Sequence, residues 1–489
     1  MKGRSLVLGA AILAIAMAAV EGTIVATAMP TIVAQLGGLR WFSWVFAAYF
    51  LTQALTIPIY GRLADAYGRK RVFLAGTAVF LIGSILCGFS RAMPVLIAFR
   101  ALQGIGAGAV QPIATTIVGD VCSGAERARA QGYISAAWGV SALVGPLLGA
   151  LLVQQWTWAT VFWINVPIGV ACMLVLARYL HEDLPSHPHR IDYLGSALLA
   201  LGLGPLMLAL VMSDSLAPGT LLGVAAFSAI VLAVLVVHER RAPEPVVPLG
   251  LWRFPTIAVA NGANFGIGMI TMGVTAFLPT YIQGVMAKTA LDAGVALAGM
   301  SVSWTLASIV MGRLLSRTTY RRGALAGGIV GVAGAASLAL LHPSQGALWA
   351  TFGACILGTG IGLGNNVFIV STQSSVGWEQ RGVATASNLF MRQVGQAVGT
   401  SLFGAVFNAS VFRAVPNASD AVGALMQPAL RARLPAPEVG RLTAVVAHAL
   451  HDVYLLVALV AVAILALVFR LPAGLTLTTA PNERSAASS

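Results

Sequence analysis

Runs of about twenty apolar residues, separated by short connections holding Arg, Lys, Gly and Pro, recur along this whole chain. A helix of roughly 20 residues crosses a hydrocarbon core about 30 Å thick, so each run is long enough to span a bilayer. The spans read as 6–30, 41–60, 72–90, 93–117, 133–153, 160–180, 193–213, 219–238, 255–285, 291–314, 323–341, 347–371, 384–410 and 449–470. Fourteen such runs leave no polar block large enough for a soluble domain. Of 489 residues, 9% are charged and 58% hydrophobic, whereas soluble domains carry about 25% charge. The expected fold class is an all-α integral membrane protein, with the lipid bilayer as its first partner.

The net charge of +13 would suit nucleic acid if it were gathered on one surface. Instead Lys2, Arg4, Arg62, Arg69, Lys70, Arg71, Arg127, Arg129, Arg240, Arg241, Arg321 and Arg322 fall in alternate connections. That is positive-inside topology, which places both termini in the cytoplasm and leaves no reason to expect nucleic acid. Cys87, Cys122, Cys172 and Cys355 show no CxxC spacing and read as packing residues. Lys2, Arg4 and the first apolar run imitate a signal peptide, with Ala26-Thr27-Ala28 as its cleavage site. The run is too long for a signal h-region and Glu21 interrupts it, so it is read as a retained first span.

Glu21 is the acid that a membrane reading must explain. It lies roughly 22 Å along the helix from Leu6, well inside the first span. An intramembrane carboxylate is costly and ordinarily marks an ion or substrate pathway. In the fourth span Arg100 lies about 10 Å from the start at Met93 and needs an anion, a carbonyl or a water-lined cavity. That depth is level with Glu21. Asp292, Asp214 and Asp452 lie near the ends of spans and read as interfacial anchors, Asp292 being the best second acid.

A repeat is visible. Residues 61–71 open with Gly-Arg-Leu and close with Arg, and so do residues 312–322. Each basic connection follows the second span of a six-span block. The chain then divides into an N-terminal bundle (1–182), an inserted pair with its linkers (183–254), a C-terminal bundle (255–472) and a cytoplasmic tail (473–489). Repeated halves around a midplane site are a transporter's plan.

The connection at 61–71 resembles that between the second and third helices of the major facilitator superfamily, G-x-L-a-D-x-x-G-R-[RK], at Gly61, Asp65, Gly68, Arg69 and Lys70. The resemblance implies a conformational latch, with Arg62 among its cations and both glycines permitting a tight turn. The run from Arg100 to Gly108 is similar to the superfamily's R-x-x-q-G-x-g-a. Gly139, Gly145, Pro146 and Gly149 match its antiporter signature, with Ala150 in place of a final glycine. Glu21, Thr23-Ile24-Val25, Ala28 and Pro30 resemble L-D-x-T-I-V-n-x-A-L-P of the drug:H+ antiporters with fourteen spans, Glu replacing Asp. The stretch from Phe162 to Gly169 fits F-x-I-N-x-P-I-G, and Arg381-Gly382 with Phe390 to Gln396 fits R-G…F-x-R-Q-x-G.

Taken together, the resemblance implies two six-helix bundles plus an inserted pair, and proton-coupled export of amphipathic, cationic drugs across a bacterial inner membrane. Glu21, assisted by Arg100, would bind proton and drug cation in alternation. No Walker A loop, HExxH pair or nucleophile elbow with partners occurs, so neither an enzyme nor ATP-driven export is expected, and no cofactor or metal. A gradient must supply the energy. Asn261, Asn264, Met269, Met272, Phe277 and Tyr281 of the ninth span are candidate cavity walls. Asn365, Asn366 and Gln373 of the twelfth and Gln393 and Gln396 of the thirteenth join them. Small drug-like molecules and protons are the expected ligands and a monomer the expected state; a periplasmic adaptor is not indicated. Two alternatives stay open: a dedicated exporter of one endogenous metabolite, lipid or antibiotic, and a membrane receptor or scaffold without turnover.

Overall fold

A computed structural model describes residues 2–121, 125–182, 192–212, 216–242, 245–246, 249–315, 317–377, 381–415, 422, 425 and 431–473. Helix is the dominant element and no strand occurs among these residues. Lipid offers no hydrogen bonds, so a spanning segment must satisfy its backbone internally.

The elements are α1 (Lys2–Leu36), α2 (Trp44–Tyr67), α3 (Arg69–Gly88), α4 (Met93–Val121), α5 (Ala125–Gln155), the short α6 (Thr160–Trp163) and α7 (Asn165–Tyr179). They continue as α8 (Tyr193–Val211), α9 (Pro218–Glu239), α10 (Pro255–Thr280) and α11 (Ala290–Leu314). The last four are α12 (Tyr320–Ala339), α13 (Gly346–Ser374), α14 (Arg381–Ala414) and α15 (Ala436–Val468). α6 and α7 together make one span, and thirteen spans among the described residues are long and apolar enough to cross a membrane. α14 is long enough but is not among them, because Asn388, Arg392, Gln393, Gln396 and Asn408 interrupt its apolar surface.

Several helix ends depart from the sequence reading, and three of them move residues of interest. α2 runs through Gly61 to Tyr67, so Gly61 is no turn residue; Gly68 alone makes the turn, at φ 93°. That backbone favours glycine, which lacks the Cβ that would clash. α1 reaches Leu36 before Gly37 and Gly38, both at positive φ, end it. α15 begins at Ala436 instead of near 449, placing Arg441, His448 and His451 in the helix. Pro435 precedes it, and Ala436-Pro437 suits a first helical turn whose N–H groups have no intrahelical partner anyway.

α1 packs against α4, α5 and α7, and α4 also against α2 and α3. In the second half α13 packs between α11 and α12, and α10 against α14 and α15. α8 and α9 pair with each other, and α8 touches α2 and α14. The halves meet along α5–α11, α2–α14 and α1–α10. At the end opposite Lys2, Asn408 donates to the Arg40 carbonyl (2.8 Å) and the Phe42 ring packs at a tilt against Phe277 (5.3 Å between centroids). Nearby, Gln283 reaches the Thr27 carbonyl at 3.5 Å.

Candidate functional site

Residues of five helices that lie far apart along the chain converge on one buried carboxylate. Glu21 of α1 is 0% exposed and forms an ion pair with Arg100 Nη1 of α4, itself 1% exposed. Its other oxygen accepts from Asn165 Nδ2 of α7 at 2.6 Å. Arg100 is held from every side. Its Nε donates to the Val45 carbonyl of α2 (3.0 Å), its Nη1 also to Gln103 Oε1 (2.5 Å), and its guanidinium lies 4.1 Å from the Tyr49 ring centroid. Gln103 passes the chain on to Ser84 of α3 (2.6 Å), and Asn165 also donates to the Phe162 carbonyl (3.2 Å).

This arrangement meets the condition for keeping charges in an apolar interior. Removing two ions from water costs more than their attraction returns unless further hydrogen bonds complete both groups. Here Glu21 uses both oxygens, and an aromatic face covers the guanidinium, a favourable place for a cation. α1, α2, α3, α4 and α7 each contribute. Cys87 and Cys172 are fully buried, as packing residues should be.

The glycines of the antiporter-like run build the wall behind this pair. A Cβ at Gly149 would lie 2.6 Å from the Ile24 carbonyl, and one at Gly145 would run into the Thr23 hydroxyl. These two absent side chains seat α5 directly on the turn of α1 that follows Glu21. Other faces of the same stretch point across the molecule: a Cβ at Gly139 would meet Thr305 of α11 at 3.0 Å, and one at Gly294 of α11 would meet the Pro146 carbonyl at 3.0 Å. α5 thus touches both the acid-bearing helix and the opposite half.

At the end that carries Lys2, Arg69 pairs with Asp120, the last turn of α4. The Lys70 side chain donates to the Leu180 carbonyl (2.9 Å) and its backbone N–H to Glu182 (3.1 Å). Arg4 Nε donates to the Val121 carbonyl (2.9 Å). The side chains of Arg62 and Asp65, of Glu126, Arg127 and Arg129, and of Arg381 lie outside the described residues, as do Cys122, Asp214 and the tail from residue 474.

Several candidate cavity walls are engaged in packing. Asn261 and Asn264 are buried in an amide cluster with Asn388 and Ser387 of α14. Met269, Met272 and Phe277 are buried, Phe277 also against Phe407, and Tyr281 donates to the Leu341 carbonyl (3.0 Å). Asn365 is half-buried, Asn366 donates to the Ser308 carbonyl (2.6 Å), and Gln373 to Thr385 (3.1 Å). Gln393 bridges the halves to Gln53 at 2.8 Å, and half-buried Gln396 lies one turn beyond. Asp292, the candidate second acid, closes a capping box with Thr289 at the exposed start of α11. Asp452 accepts from Ser410 (2.5 Å) near one end of the bundle.

Asn165, Gln103, Ser84 and Tyr49 were not among the site residues expected from the sequence. Asn165 and Gln103 both stand inside quoted motifs, so a polar residue on an apolar helical face was the available signal.

Comparison with known proteins agrees with this architecture. Residues 11–400 match the model of the Major Facilitator Superfamily. Multidrug transporter protein MdtP of Bacillus subtilis is 34% identical over 412 residues, covering 83% of this chain and 76% of the relative. Multidrug resistance protein 3 of the same organism is 35% identical over 398 residues, covering 81% and 78%. Among solved structures, an inward-facing, occupied bacterial homologue of the human lysosomal transporter Spinster superposes with TM-score 0.68 at 16% identity. That likeness covers 96% of this chain and 97% of the other. A helical fold of this order, a matched model over most of its length and transporter relatives place the chain in the major facilitator superfamily, as a multi-pass membrane transporter and not an enzyme.

Proposed function

We propose that this protein is a proton-coupled antiporter that exports amphipathic, drug-like molecules across the bacterial inner membrane by alternating access. In this reading it crosses fourteen times with both termini in the cytoplasm, works as a monomer and needs no cofactor. Its two six-helix bundles are α1–α7 (1–182) and α10–α15 (255–472), with α8 and α9 as the inserted pair (183–254). The multidrug names of two relatives support the substrate class. The contacts at the end opposite Lys2 support a state closed to the outside.

The observation that carries the reading is the sealed Glu21–Arg100 pair. A proton arriving at Glu21 discharges the acid and cancels its attraction for Arg100. Arg100 keeps the Val45 carbonyl, Gln103 and Tyr49, so the cation stays while α1 loses its tie to α4. α1 bears on α5 through Gly145 and Gly149, and α5 bears on α11. Protonation at a buried site is thereby transmitted to the boundary between the halves. Full burial of Glu21 favours this indirect route over a drug cation touching the carboxylate.

Purified protein in liposomes tests the proposal. On an imposed pH difference, wild type should accumulate ethidium and Glu21→Gln should lose at least about tenfold of the uptake, the equivalent of one pH unit of driving force. Uphill pumping by the amide variant at the wild-type rate would remove Glu21 from coupling.

A further inference from the structure

α14 carries a second arginine inside the bundle, and its surroundings are unlike those of Arg100. Arg392 lies about 16 Å along the helix from Arg381. Its Nε is buried without a hydrogen-bond partner, and no carboxylate pairs with it among the described residues. The guanidinium points across the boundary between the halves, with its carbon 5.9 Å from the Trp138 ring centroid of α5. The backbone of Arg392 packs directly on Gly268 of α10. On the neighbouring α15, Asp452 bonds to Ser410, roughly 27 Å along α14 from Arg392, and Glu438 is exposed in the first turn. One turn beyond Arg392, the Gln396 side-chain oxygen is also buried and unpartnered. Gln393 between them is already tied to Gln53 of α2.

A guanidinium in an apolar interior without an acid is costly and ordinarily marks a place where an anion comes and goes. With Glu21 neutralised by Arg100, Arg392 leaves the middle of the transporter with an uncompensated positive charge among the described residues. We propose that Arg392, Gln396 and Trp138 form a subsite for an oxyanion-bearing amphipathic molecule. Its carboxylate lies on Arg392, and an N–H or O–H of the same molecule donates to Gln396. Side chains four apart on a helix stand about 5–6 Å from each other, which sets the spacing of those two groups. Zwitterions and hydroxy or amino acids with an aromatic body fit this subsite, and a permanent cation such as ethidium would lie elsewhere between the halves without using it. The inference rests on the reading that cargo occupies the space between the halves, and it is independent of proton coupling.

Rhodamine B, which has a free carboxylate, and its ethyl ester differ only at the group in question. Their binding to the purified full chain is measured by fluorescence anisotropy without any gradient, so a failure of proton coupling leaves the result untouched. Wild type should bind the acid about tenfold more tightly than the ester, the loss expected when a charge-assisted hydrogen bond is removed. Arg392→Gln should erase the difference, and Arg392→Lys should restore part of it. Ester binding as tight as the acid, binding of neither dye, or a difference that survives Arg392→Gln would overturn the assignment. The wild-type comparison decides the matter even if a variant fails to fold.

Discussion

Each half of the molecule buries a polar cluster, and the two clusters are built from opposite chemistry. In the N-terminal half, Glu21 and Arg100 carry full charges, completed by Asn165, Gln103 and the Val45 carbonyl. In the C-terminal half every member is neutral. Asn388 donates to Asn261 (2.9 Å) and Thr372 (3.2 Å) and accepts from Asn264 (2.6 Å), joining α10, α13 and α14. An amide cluster does not titrate at any pH at which the protein folds, and its hydrogen bonds tie helices together. A carboxylate can be switched off by one proton. The repeat placed similar basic turns in both halves but a paired acid and base in the first alone among the described residues, so under the proposed coupling the first cluster senses protons and the second holds helices.

This contrast can be broken by mutation. Arg100→Ala strands a buried carboxylate and should cost about 3–5 kcal/mol of stability, read from unfolding of the detergent-solubilised protein. Adding Glu21→Gln to that variant should recover most of the loss; no recovery would mean that Arg100 acts through packing on Tyr49 instead of through charge. Asn388→Leu should cost less, about 1–3 kcal/mol, because it leaves only neutral groups unpaired. A loss equal to that of Arg100→Ala would erase the distinction between the clusters. Asp292→Ala, which removes half of an exposed capping box, should cost about 1 kcal/mol by the same measurement and leave uptake unchanged. Loss of uptake there would mark Asp292 as a second coupling acid.

Depth along a helix was legible without coordinates. Apolar run length located the spans, and counting residues from Leu6 and Met93 put Glu21 and Arg100 at one level. Facing partners were harder to find. Asn261 and Asn264 were read as cavity walls because a buried amide needs a partner or water, and composition cannot say which. The partner proved to be Asn388, more than a hundred residues away. Arg392 was visible only as a motif letter; that it lacks an acid is a property of all the helices around it.

Hydrophobic run length, loop charge and a lone acid in the first span determined by themselves that this chain crosses a membrane many times and holds an ionisable group there. Lipid enforces that outcome, since only helices satisfy their own backbone in hydrocarbon. Only the tertiary structure decided which charge is answered and which is not. Glu21 is closed off by Arg100 and Asn165, while Arg392 faces the other half with its Nε unbonded. Pairing depends on the rotation and close approach of neighbouring helices, set by absent side chains such as those of Gly145, Gly149 and Gly268, and one-dimensional spacing carries no record of it.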